Sequence, residues 1–126
     1  MPFIRFKGFN KEDVERLSES IIEKSSEIIE VPKQLIKLEL LNIETITPNP
    51  CTVEIYMFQR EPDKHHALAN SLYQIISQAG YKDAHIFFVM LTEAYYYKQG
   101  QPLTNYPYTQ RQQLLKWFYV KCWGDD

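Results

Sequence analysis

Pro2-Phe3-Ile4-Arg5-Phe6-Lys7, directly after Met1, alternates along its length. Pro2, Ile4 and Phe6 point to one side, and Phe3, Arg5 and Lys7 to the other. A period of two marks a half-buried strand, and proline is tolerated as its first residue, where the missing N–H breaks no ladder bond. Gly8 interrupts the pattern. Asn10 then offers a side-chain oxygen to the free amides of a helix, whose first turn carries Glu12 and Asp13 near its positive end. Val14, Leu17, Ile21 and Ile28 fall on one helical face, with the small Ser18 and Ser25 between them. The helix must stop before Pro32, because a residue preceding proline, here Val31, is pushed towards extended geometry.

Outward from this unit the pattern recurs. From Leu35 to Ile46 the chain is β-like, with Ile36, Leu38 and Leu40 on one side and Lys37, Glu39 and Leu41 on the other. Thr47-Pro48-Asn49-Pro50 signals a turn. Thr52 to Phe58 alternates as a third strand. Pro62-Asp63 opens a second helix striped by Leu68, Leu72, Ile75, Ile76 and Ala79, and Gly80 closes it in a left-handed conformation. Ala84 to Leu91 is almost wholly apolar, the pattern of a strand buried on both faces. A tyrosine-rich stretch follows, then an apolar cluster whose residues 110–120 are expected to form a short helix, with a strand as the alternative.

The order is β-α-β over residues 2–46, β-α-β over 51–91, and a C-terminal interface segment and tail over 92–126. The expectation is one domain spanning 1–126. Two folds fit this order: a ferredoxin-like sandwich, and two right-handed parallel βαβ units set antiparallel in one four-stranded mixed sheet with both helices on one face. Periodicity does not choose between them.

Composition narrows the classes. The 126 residues carry 14 Lys+Arg against 16 Asp+Glu, for a net charge of −2. With no basic run, the chain lacks the cationic footprint of a nucleic-acid binder. No apolar stretch approaches the roughly 20 residues of a membrane span, and Arg5 and Lys7 interrupt any secretory core. Cys51 and Cys122 have no metal-ligand spacing and fit two reduced thiols. A cytoplasmic location without nucleic-acid or membrane partners is expected.

The Met1-Pro2-Phe3-Ile4 start, joined to the double βαβ order and to Pro32 just before the second strand, resembles the tautomerase superfamily, the fold of oxalocrotonate tautomerase and macrophage migration inhibitory factor. Phe-Lys-Gly (6–8), Leu-Glu-Leu (38–40), Val-Glu-Ile-Tyr-Met-Phe-Gln-Arg (53–60) and Ala-Tyr-Tyr-Tyr-Lys-Gln-Gly (94–100) are similar to one small bacterial branch of it, catalogued as a domain of unknown function. Residues 103–126 lie outside the resemblance. What it implies is the second of the two folds, an α+β tautomerase-like sheet with parallel first and second strands, assembled as a homotrimer.

The resemblance also implies a chemistry. Removal of Met1 leaves Pro2 with a secondary amine; terminal amines have reference pKa values of about 7.7–8.0, and prolyl amines lie above primary ones. Desolvation and nearby cations bring such an amine down towards working pH, where it can move a proton at carbon beside a carbonyl. Arg60 matches the part of the chain where several members hold a substrate carboxylate; a guanidinium fork suits that task. Arg60 paired with Glu61 or Asp63 on the surface is the plainer alternative. Lys37 matches a substrate-binding arginine of the oxalocrotonate tautomerases, keeping the charge but losing the fork. Glu39, two residues on, either activates water or pairs with Lys37, and Glu54 raises the same choice on the third strand. Tyr96 and Tyr97 match the segment that closes the pocket from a neighbouring subunit. Ile86, Phe88 and Met90 match neighbour-supplied pocket residues that are partly polar in the macrophage-factor branch.

Other candidates point elsewhere. His65 and His66 diverge by about 100° on a helix and fit exposed surface positions better than a shared metal. His85 fits a satisfied core histidine. No Gly-rich phosphate loop is present. Two function classes follow: a cofactor-independent keto–enol tautomerase of a small 2-oxo acid using Pro2, or a non-catalytic binding or structural oligomeric module on the same fold. A third, a ferredoxin-like regulatory domain, requires a differently ordered sheet. The sheet side bearing Phe3, Arg5, Lys37, Glu39 and Tyr56 is mixed in character, so the trimer interior is expected to be polar and charge-paired.

Overall fold

The computed structural model describes residues 2–105. Strand β1 (Phe3–Lys7) leads through helix α1 (Lys11–Ile29) and a 3-10 turn (Lys33–Leu35) to β2 (Lys37–Leu41). The second unit runs β3 (Thr52–Phe58), α2 (Pro62–Gln78) and β4 (His85–Leu91). A small hairpin of β5 (Tyr97–Lys98) and β6 (Gln101–Pro102) follows, between two further 3-10 turns. The helix expected over 110–120 lies outside the described residues.

The main sheet has the order β2-β1-β3-β4. β1 and β2 are parallel, β3 and β4 are parallel, and β1 runs antiparallel to β3. The parallel β1–β2 pair decides against the ferredoxin-like arrangement and for two βαβ units back to back.

Local signals explain the elements. The Asn10 Oδ1 accepts the Glu12 N–H at 2.8 Å, closing the N-terminus of α1. At its other end Glu30 takes a left-handed conformation (φ 58°) ahead of Val31-Pro32. Gly8 turns the chain from β1 to α1 at φ 84°, where a Cβ would also lie 3.3 Å from the Cys51 Sγ. Tyr81 ties the two units together: its hydroxyl donates to Asp13 and accepts the Asn10 N–H, and its ring packs on Phe9.

Both helices cover one face of the sheet. Val14, Ile21 and Ile29 of α1 and Leu68, Leu72 and Ile76 of α2 bury against Ile4, Phe6, Val53, Ile55 and Met57. The alternation read in β1 therefore holds, with even-numbered residues in the core and odd ones on the uncovered side.

Three sequence expectations are corrected. The β-like stretch of 35–46 yields a strand only over Lys37–Leu41, because its partner β1 ends at Lys7, opposite Leu41. Residues 42–50 are exposed, Ile46 at 93%. β4 is not buried on both faces: it is an edge strand with one side left uncovered by the helices, and Phe87 there is half-exposed. His85, the first residue of β4, is exposed on that same side and is no core histidine.

Among the described residues, no helix is long and apolar enough to cross a membrane.

The uncovered face carries a continuous polar chain. Arg5 Nε contacts Glu39 Oε1 at 2.7 Å, and its guanidinium lies 4.5 Å from the Tyr56 ring centre. The Tyr56 hydroxyl donates to Glu54 Oε1 at 2.9 Å, and Lys7 Nζ meets Glu54 Oε2 at 2.7 Å. The charge pairing expected of this face is present, with Arg5, not Lys37, shown as the ion-pair partner of Glu39.

Candidate functional site

The end of the sheet where β1 begins and β3 and β4 finish gathers most of the candidate residues. Pro2 lies just ahead of β1, on the helix-facing side with Ile4 and Phe6, and is fully buried. Its carbonyl accepts the Lys37 N–H at 3.0 Å, which joins the starts of β1 and β2. Extending the β1–β3 register by one residue sets Pro2 beside Met57, and Met57 pairs with Met90. Pro2 is thus two strand spacings, about 10 Å, from Met90.

Beyond Met57 lies a cleft of about 450 Å³ between the start of α2 and the end of β4. Arg60, delivered by the exit of β3, lines it together with Gln59, His65, Asn70, Phe88 and Met90. Polar groups rim this cleft while Phe88, Met90, Ala69 and Pro62 supply apolar wall. Such a mixture suits a small ligand with one charged end. Arg60 makes no ion pair with Glu61, Asp63 or any other described residue, so its guanidinium is not committed within the described chain.

The remaining candidates are spread around the same end. Lys37 faces the uncovered side opposite Phe3; its Nζ donates to the Gln34 carbonyl at 2.9 Å, and burial holds its pKa below the usual lysine value. Glu39 is on the uncovered face with Arg5, away from Arg60. The Tyr96 ring packs edge-on against Phe58 at 5.4 Å, and burial raises its hydroxyl pKa. Tyr97 is 60% exposed. Within one chain, then, Arg60 and Phe88 share a cleft and Pro2 and Lys37 share a backbone bond, while Glu39, Tyr96 and Tyr97 stand apart.

His65 is the residue that sequence reasoning misplaced. It is only 8% exposed, whereas its neighbour His66 is exposed. The signal was available: positions 65, 68, 72 and 76 continue one helical stripe, so His65 extends the buried face of Leu68, Leu72 and Ile76 back by one turn. Its Nε2 accepts the Arg60 backbone N–H at 2.9 Å, and its ring meets Phe88 edge-on at 4.7 Å. Among the described residues, no group of three or more His, Cys, Asp or Glu is arranged to hold a metal ion.

A sheet of two parallel βαβ units joined antiparallel, with both helices on one face, defines a protein of the tautomerase-superfamily fold. Within that class the chain belongs to the family described as Domain of unknown function (DUF1904), whose model matches residues 1–102. A solved member of that family from Sebaldella termitidis ATCC 33386 is similar with a TM-score of 0.74 at 22% identity, over 81% of this chain and 99% of that one. A macrophage migration inhibitory factor-like protein from Entamoeba histolytica superposes with a TM-score of 0.63 at 11% identity, over 80% and 97% of the two chains. A fused 4-OT described as an asymmetric trimer gives 0.65 at 15% identity, over 82% and 97%. At these identities the likeness concerns the fold. No curated protein matches the chain in sequence.

Proposed function

We propose that this protein is a cofactor-independent keto–enol tautomerase of small 2-oxo acids, a single tautomerase-like domain acting as a homotrimer, with Pro2 as its base once Met1 is removed. The observation that carries the reading is the uncommitted guanidinium of Arg60, lining an apolar-walled cleft at the same end of the sheet as Pro2. Arg60 would hold the substrate carboxylate through its two-pronged fork. From a 2-oxo acid, the neutral Pro2 nitrogen takes a proton off C3, and the electron pair moves to the carbonyl oxygen as the enolate forms. Protonation of that oxygen from solvent gives the enol. In reverse, the neutral Pro2 nitrogen first takes up, by way of solvent, the proton lost by the enol hydroxyl, and the resulting ammonium delivers it to C3 as the carbonyl reforms, which leaves Pro2 neutral again. The cations at this end, Arg60 and Lys37, favour the enolate's developing charge. Glu39, Tyr96, Tyr97 and Phe88 complete the proposed binding set where subunits meet.

Support for the trimer comes from the uncovered sheet face. Four of its charged side chains are already paired as Glu39–Arg5 and Lys7–Glu54, so a second chain covering these four strands none of them alone. Light scattering at micromolar concentration is expected to give three chain masses; a single chain mass would remove the shared site.

Ketonisation of an aryl-pyruvate enol tests the role of Arg60. Arg60→Ala is expected to lower kcat/KM about 10- to 100-fold, the loss of a hydrogen-bonded charge contact of about 1.5–3 kcal/mol, with Arg60→Lys in between. Unchanged kinetics in both variants would detach Arg60 from substrate.

One observation favours the module reading. Pro2 is fully buried, less than 2% exposed, in the chain that still carries Met1 on its nitrogen, and in that state no ligand reaches it. Keto-acid analogues soaked into crystals separate the two: density bridging Pro2 and Arg60 supports the enzyme, and an occluded Pro2 with no turnover supports the module.

A further inference from the structure

The connection from β3 into α2 is closed by a side chain from inside the helix. Glu61, the N-cap residue of α2, makes no side-chain hydrogen bond to the free amides of the first turn. Instead His65, one turn into the helix, folds its ring back, and its Nε2 accepts the Arg60 N–H at 2.9 Å. The ring stands edge-on to Phe88 of β4, with 4.7 Å between ring centres, and only 8% of the residue is exposed. An acceptor at Nε2 is a bare lone pair, so this bond exists only with the neutral ring, whose single proton then sits on Nδ1. Nδ1 is buried and has no hydrogen-bond partner among the described residues. A second proton would set an Nε2–H against the Arg60 N–H, donor facing donor. Both ring nitrogens would then lack an acceptor.

We propose that His65 is a positioning residue for Arg60: a neutral-imidazole latch that fixes the β3–α2 connection and lets go when the ring is protonated. Closed, it ties the Arg60 backbone to α2 and so sets the root of the side chain that lines the cleft. Open, that amide has no acceptor on the helix, and the guanidinium is free to leave its place. The charged or titratable groups around the ring are few. Arg60 enters from the β3 exit, while Glu61, Asp63, Lys64 and His66 share the helix start. Lys64 is drawn off to Glu30, at the end of α1, at 3.1 Å. From β4, Phe88 and Met90 bring no charge. Neither ring nitrogen meets any of these carboxylates, so no ion pair offsets the lost bond. The consequence for substrate rests on Arg60 being the carboxylate anchor of the proposed function; the latch itself does not.

Nitrogen-15 NMR of the full chain reads both ends of the latch without any substrate. The His65 ring nitrogens report its protons, and exchange of the Arg60 amide, corrected for its intrinsic rate, reports the bond. In the parent chain Arg60 protection is expected to fall about tenfold or more as pH drops, with the midpoint of the His65 ring, while the β1 and β3 amides stay protected. His65→Gln keeps an acceptor near the Nε2 position but does not titrate, so Arg60 should stay protected across the range. His65→Leu fills the space without an acceptor, and Arg60 should be unprotected at every pH in a chain that still unfolds cooperatively. In ketonisation of an aryl-pyruvate enol, His65→Leu is expected to raise KM about tenfold with kcat little changed, the mark of a displaced binding group. His65→Gln should recover it. Arg60 protection that ignores the ring's titration overturns the proposal. So does a His65→Gln chain that repeats the parent's step, or a ring that stays neutral until the chain unfolds. The expected exchange behaviour in a chain without turnover supports the latch while refuting the proposed reaction. Arg60-dependent turnover with an Arg60 amide indifferent to His65 refutes the latch alone.

Discussion

Pro2→Ala is expected to lower kcat/KM for ketonisation of an aryl-pyruvate enol by about 10²- to 10⁴-fold, the usual contribution of a positioned acid–base group. The substitution leaves a terminal amine after Met1 is removed, but a primary one on a smaller side chain. The pyrrolidine ring is rigid and fully buried beside Ile4 and Phe6, so its nitrogen has little freedom to wander from the substrate carbon. Alanine at the same position can rotate, and water fills part of the space it vacates. A chain carrying an extension that the cell cannot remove provides the chemical control. There Pro2 is acylated, its nitrogen has no basic lone pair, and turnover is expected to fall as far as in Pro2→Ala without loss of fold. Equal activity in parent and both variants would take Pro2 out of the mechanism.

The second large effect concerns stability. Glu54 is 7% exposed on the uncovered face, where it takes Lys7 on one oxygen and the Tyr56 hydroxyl on the other. Glu54→Ala leaves the Lys7 ammonium, itself partly exposed, and the Tyr56 hydroxyl without their acceptor and is expected to cost about 1.5–3 kcal/mol in denaturant unfolding, the range for a hydrogen bond to a charged group. The pH dependence follows from the same contacts. The hydrogen bond from Lys7, helped by Tyr56 and opposed by burial, holds the Glu54 carboxyl below its ordinary 4.5. A depressed folded pKa means that this stabilisation is complete above the unfolded value. It disappears as pH falls through the lower, folded value. The parent chain should therefore lose stability from about pH 4.5 downward, and Glu54→Gln, less stable at pH 7, should lose less over that interval. A parallel decline in both would assign acid sensitivity to other carboxylates.

These two sites differ in how far the sequence announced them. The β1 alternation alone sets Glu54's neighbours Arg5 and Lys7 on one side, and the register matches them to Glu39 and Glu54. The parallel β1–β2 pairing was a matter of topology, which periodicity leaves open and the Met-Pro start with its later stretches resolved. Pro2 and Arg60 came from resemblance; their placement at one sheet end needed the antiparallel β1–β3 register. β4 misled because an apolar run signals burial without saying what does the burying. In one chain its outer face has no covering layer. His65 was missed for a narrower reason: read as half of a histidine pair, it looked like surface, although its spacing to Leu68, Leu72 and Ile76 placed it in the helix's buried stripe. The length of β2 was set by β1 ending at Lys7, a limit that no residue within 42–46 encodes.

The central claim is that Pro2 offers a free, largely uncharged amine at working pH. Nitrogen-15 NMR of proline-labelled protein, followed over pH, measures that directly. The account predicts an amine resonance from Pro2 that titrates with a midpoint below that of a free prolyl amine in water, because burial disfavours its charged form. An amide-like resonance that does not titrate, or an amine that stays protonated throughout the range of activity, would contradict it.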